Sequence, residues 1–69
     1  KLRKIELEEV MEQCLQQLPE KHRTSLLLRI QRELSYEEIA VIMKASPGAV
    51  KTWIHRARTH LRENLKQLI

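Results

Sequence analysis

Phenylalanine is missing from this 69-residue chain, and Trp53 and Tyr36 are its only aromatic residues. One glycine and two prolines are too little turn chemistry for a sheet of hairpins, which leaves long helices joined by short turns. A single cysteine, Cys14, excludes an intrachain disulfide and gives no sign of an oxidising compartment. No apolar run approaches a membrane span and no signal-peptide pattern opens the chain, so a cytoplasmic protein with no membrane partner is expected. The chain begins at Lys1 rather than Met, which points to a piece of a longer protein. Its length suits one domain, residues 1–69, with a thin core.

Charge is what the sequence has, and it is unevenly placed. Residues 1–43 are close to balanced, whereas residues 44–69 hold Lys44, Lys51, Arg56, Arg58, Arg62 and Lys66 against Glu63 alone. One end of the domain is therefore cationic. A solvated basic helix would have this composition, and so would a surface for an anionic partner, of which nucleic acid is the commonest for a small domain.

Helical periodicity runs through the whole chain. Leu7, Val10, Met11, Cys14, Leu15 and Leu18 recur at three- and four-residue steps on one face of a first helix. Glu6, Glu8, Glu9 and Glu12 crowd its N-terminal half, where the helix dipole favours them. Cys14 lies on the apolar stripe and reads as a small core residue. Pro19 ends this helix and suits the first position of the next, which reaches about Arg32. There Leu26, Leu27, Ile30 and Leu34 fall on one side, and Leu28 projects roughly opposite. Leu28 is thus either covered by the first helix or part of a surface for a protein partner.

Ser35-Tyr36-Glu37-Glu38 has the form of a capping box opening a third helix. That helix turns Tyr36, Ile39, Ala40 and Met43 inward. After the turn Lys44-Ala45-Ser46, Ser46 and Pro47 stand as N-cap and first residue of a fourth helix. The fold expected is all-α, a four-helix domain with a C-terminal helix-turn-helix at about 35–60. A helix-turn-helix needs a small residue where its helices cross, apolar residues at fixed offsets, and a second helix free to enter the major groove. Ala40 is the small residue, and Ile39, Met43, Ala45, Val50 and Trp53 occupy the apolar offsets.

On the fourth helix Val50, Ile54, Ala57, Leu61 and Leu65 share one face, with Trp53 at its edge. Thr52, His55, Arg56 and Thr59 point the other way, flanked by Lys51, Arg58 and Arg62. Arg suits a bidentate guanine contact, Thr a base edge or thymine methyl, and the flanking cations suit phosphates. Ser46 and the Gly48 amide lie at the positive end of the helix, a natural phosphate seat. Trp53 could stack on a base, although its offset is an apolar one. His22, His55 and His60 lack the spacing of a metal site. No nucleophile–base set or paired carboxylates occupy a pocket. No enzyme activity, cofactor, metal or small-molecule substrate is expected.

Three blocks carry a further resemblance: Leu18-Pro19-Glu20-Lys21-His22-Arg23, Leu34-Ser35-Tyr36-Glu37-Glu38-Ile39-Ala40, and Gly48-Ala49-Val50-Lys51-Thr52-Trp53-Ile54-His55-Arg56-Ala57-Arg58. Together, across about residues 15–66, the sequence closely resembles region 4 of bacterial sigma factors, the extracytoplasmic-function (ECF) group above all. The resemblance implies a subunit that starts transcription with RNA polymerase and reads the minus-35 element of double-stranded promoter DNA. It also implies docking on the flap of the polymerase β subunit, and in many members restraint by an anti-sigma factor. Carried over by position, Lys51, Thr52, His55 and Arg56 would face bases or adjacent backbone, and Ser46, Gly48 and Arg58 would meet phosphates. Ala49 stands where the family often has Thr, and Trp53 where many members have Arg. The rival readings are a helix-turn-helix repressor of another family, which would need a dimer face for a two-fold operator, and a helical adaptor that binds polymerase or an anti-sigma protein without touching DNA.

Overall fold

A computed structural model describes residues 3–66 as four helices: α1 (Lys4–Gln17), α2 (Glu20–Gln31), α3 (Tyr36–Met43) and α4 (Pro47–Lys66). Each junction follows from local chemistry. Pro19 forces the residue before it out of the helical region, and Leu18 is extended at φ −74°, ψ 146°. Pro19 is itself extended and acts as N-cap of α2 rather than its first residue. Its carbonyl accepts the Arg23 N–H at 3.0 Å.

After α2 the chain reverses through Glu33, which has a positive φ of 54°. Arg29 braces this corner: its Nη1 donates to the Leu34 carbonyl at 2.8 Å, and its guanidinium lies 5.1 Å from the centre of the Tyr36 ring. The α3 capping box is complete. Ser35 Oγ accepts the Glu38 N–H at 3.1 Å, and Glu38 Oε1 accepts the Ser35 N–H at 2.9 Å. A Schellman closure ends α3, with Ala45 N–H donating to Ala40 O at 2.9 Å and Lys44 N–H to Val41 O at 3.3 Å. Lys44 takes the left-handed conformation at φ 55°, where glycine is usual.

The capping box makes a pH prediction. The Ser35 backbone N–H first, and its side chain second, hold the Glu38 carboxyl below its ordinary pKa against a small opposing effect of desolvation. A carboxyl lowered in the folded state contributes stability that is complete above its unfolded pKa and is lost as pH falls through the folded value. Thermal melts of Glu38→Gln and wild type should therefore begin to converge as pH falls below the ordinary glutamate value of about 4.3, with wild type ahead at neutral pH. Ser35→Ala should cost about 1 kcal/mol at neutral pH by removing the cap.

Leu18, Leu26, Ile39, Ala40, Val50, Ile54 and Ala57 form the buried core, one residue from α1's end, one from α2, two from α3 and three from α4. Leu15, Leu28, Leu34, Tyr36, Met43, Trp53 and Leu61 pack around it. α4 touches all three other helices and is the spine of the domain. Cys14 is buried, as expected of a core residue.

On α2 the helical-wheel reading needs correction at Ile30, whereas Leu28 takes the packed one of its two expected settings. Leu28 is partly buried and packs against the core, while Ile30, expected inside, is 59% exposed. The cause is Ser25, which is fully buried with its hydroxyl donating to Lys21 O at 2.8 Å and His22 O at 3.1 Å. A wheel weighted by apolar residues ignores a serine. Centring the inner face on Ser25 turns Leu28 in and Ile30 out. On α1, Met11 likewise lies at the margin of the stripe, 37% exposed.

Candidate nucleic-acid interface

α4 is amphipathic along its whole length of about 30 Å at 1.5 Å per residue. Val50, Ile54 and Ala57 are buried and Leu61 and Leu65 partly so, while Lys51, Thr52, His55, Arg56, Arg58 and Arg62 are all exposed. Packing the inner face on three helices fixes the rotation of α4 about its axis. The exposed set is thus presented by a rigid element rather than by a loop.

The start of α4 is prepared in detail. Ser46 Oγ accepts the Ala49 N–H at 3.1 Å, and Ser46 O accepts the Val50 N–H at 3.1 Å. Pro47 has no N–H to satisfy. The Gly48 amide is left as the first-turn donor that the helix does not use, at its positive end. Gly48 has no positive φ, and a Cβ there would meet only Ser46 Oγ, 4.0 Å away. The backbone therefore does not demand glycine at this position, and its missing side chain leaves the amide open to close approach.

The two outward threonines are more constrained than their sequence suggests. Thr52 donates its hydroxyl proton to Gly48 O at 3.1 Å, and Thr59 donates to His55 O at 3.0 Å. What they turn outward is a hydroxyl acceptor and a methyl group. Thr59 is also partly buried, unlike the others. Arg58 stands on the α2 side, lining an open depression with Arg29, Ile30 and Glu33. Trp53 is partly buried against the core, and the Lys21 ammonium of α2 sits 5.5 Å from its ring centre. Sequence reasoning missed this pair because the partners lie on different helices. Among the described residues no group of His, Cys, Asp and Glu could hold a metal, and no helix is long and apolar enough to cross a membrane.

A short α3, a tight turn and a capped α4 with a polar, cationic outer face are the parts of a helix-turn-helix. The family described as "Sigma-70, region 4" matches residues 8–61, from the second turn of α1 well into α4. The chain belongs to the sigma-70 region 4 family. Its relatives include the RNA polymerase sigma-H factor of Pseudomonas aeruginosa, 44% identical over 93% of this chain and 33% of that protein. The ECF RNA polymerase sigma factor SigW of Bacillus subtilis is 42% identical over 93% of this chain and 34% of its own length. The ECF RNA polymerase sigma-E factor of Escherichia coli is 39% identical over the same shares, 93% and 34%. The chain spans about a third of the length of the curated relatives it matches. In this region 4 domain the helix-turn-helix is α3, the turn at Lys44–Ser46 and the first half of α4, and the preceding helices buttress it.

Proposed function

We propose that this domain reads the minus-35 element of a promoter through the outer face of α4, as the region 4 part of a sigma factor acting in the cytoplasm with RNA polymerase core. The observation that carries this reading is the division of α4: a buried apolar face locked to three helices, and an exposed face on which Thr52, His55 and Arg56 stand beside Lys51, Arg58 and Arg62. Such a helix fits the major groove, with its outermost side chains at the base edges and its flanking cations at a phosphate backbone.

The residues divide accordingly. Arg56 is free to make a bidentate contact to guanine, and His55 and Thr52 lie beside it. Thr52, with its proton committed to the backbone, is matched to a base amino donor or a thymine methyl. Lys51, Arg58 and Arg62 engage phosphates, as do the Ser46 hydroxyl and the Gly48 amide at the helix start. Thr59, half-covered, contributes at the margin. The chemistry is recognition, with no catalytic step, cofactor or small-molecule substrate. Docking on the β-subunit flap, and restraint by an anti-sigma factor, belong to the same reading. The core packing of Leu28 leaves it only its outer edge to offer to such partners.

Selection of bound sequences from randomised duplexes, with the protein assembled on polymerase core, should return one upstream element. Arg56→Ala should then weaken binding to that element by about 1–3 kcal/mol and weaken binding to scrambled duplex much less. Equal losses on both would make Arg56 a phosphate contact. Failure to enrich any sequence would favour an adaptor that meets polymerase without reading DNA.

A further inference from the structure

The cations that α4 itself carries are lopsided. Lys51, Arg58 and Arg62, with Lys66 one turn beyond, lie along one edge of the exposed face, on the side where Arg58 borders α2's C-terminal end. The other edge has Arg56 as its only cation: Ala49 and Trp53 next to it along the helix carry no charge, and Glu63, two turns further on, is acidic. A helix in the major groove lies between two phosphate backbones about 12 Å apart, so a one-sided cradle leaves one wall weakly held.

A second helix supplies what that edge lacks. Lys21, the second residue of α2, is exposed and places its ammonium 5.5 Å from the centre of the Trp53 ring. Trp53 is one turn from both Ala49 and Arg56, on the same edge. The Lys21 backbone is pinned as well, because its carbonyl accepts the hydroxyl of the buried Ser25 at 2.8 Å. An exposed lysine usually spreads its charge over many rotamers. Here the indole face gives the ammonium one preferred seat while leaving its outer N–H donors to solvent.

We propose that Lys21, seated on Trp53, is a phosphate-binding residue that supplies the backbone contact on the Arg56 edge of α4. Trp53 is then a positioning residue, and it acts through the lysine rather than on a base. This inference rests on the reading of α4 as the DNA-facing helix. It also explains how an aromatic residue on this edge is compatible with DNA binding: the charge comes from α2.

Phosphate contacts are independent of sequence, so a fluorescent duplex of random sequence is a sufficient probe. Its affinity for the protein is measured by anisotropy from about 50 to 200 mM salt. Lys21→Gln should make the slope of log K against log salt shallower by about 0.9. Its affinity deficit should then shrink about three- to fourfold across that range, and Lys21→Arg should restore wild-type behaviour. Trp53→Leu, which keeps an apolar side chain but removes the ring face, should weaken binding in the Lys21 background and add nothing to Lys21→Gln. Lys21→Gln should melt like wild type, which separates a binding role from a purely structural one. An unchanged slope in Lys21→Gln, with Arg58→Gln flattening it in the same assay, would overturn this inference and leave the DNA reading standing. Salt-independent or absent binding by the wild-type protein would overturn both.

Discussion

Leu26→Ala is expected to remove a large share of the domain's stability, about 2–5 kcal/mol. Leu26 is 1% exposed and lies within the core that joins all four helices. Truncating a buried leucine costs about 2–5 kcal/mol, through lost burial and the cavity left behind. At roughly 0.05–0.15 kcal/mol per residue, a domain of this size has only about 3–10 kcal/mol in total, so one such loss removes about half of it. The neighbouring apolar residues of α2 provide the internal scale. Leu28→Asp should also destabilise strongly, by placing a carboxylate against the core. Ile30→Ala, at a position 59% exposed, should stay within about 0.5 kcal/mol of wild type. Urea titrations followed by circular dichroism would rank the three. A mild Leu28→Asp beside a severe Ile30→Ala would restore the wheel-based orientation of α2 and refute the one described here.

That orientation marks where sequence legibility ended. The capping box at Ser35, the N-cap at Ser46 and the inner face of α4 were readable because each depends on chemistry within a few residues: a hydroxyl three positions before an amide, or an apolar side chain every third or fourth place. The four helices and the composition of α4's two faces followed from that. The rotation of α2 did not, because a polar residue, Ser25, sits at the centre of its buried face with its hydroxyl satisfied by the helix's own carbonyls. Nothing in hydropathy signals a serine that carries its own hydrogen-bond partners inside. The same limit hid the Lys21–Trp53 pair, which joins two helices distant in sequence. It also hid the committed protons of Thr52 and Thr59. Those bonds change what each threonine can recognise without changing which residue stands there.

The larger effect on function should come from removing the cationic edge of α4. Lys51, Arg58 and Arg62 are exposed, so Lys51→Gln, Arg58→Gln and Arg62→Gln together should leave helix content and melting temperature nearly unchanged. Each phosphate neutralised contributes roughly −0.9 to the salt slope. With about four contacts engaged, wild type should show a slope of about −3 to −4, and its affinity should fall about a hundredfold from 50 to 200 mM salt. The triple variant should retain a slope of about −1 by the same relation, losing affinity only several-fold over that range. It should bind far more weakly than wild type at the low-salt end.

The salt dependence of duplex binding by wild type and triple variant, measured side by side, tests most directly whether α4 is the DNA-facing element. A steep wild-type slope that flattens in the triple variant, with the fold intact, is the expected result. A wild-type slope near zero, or a steep slope that the three substitutions leave unaltered, would contradict the assignment of DNA binding to α4.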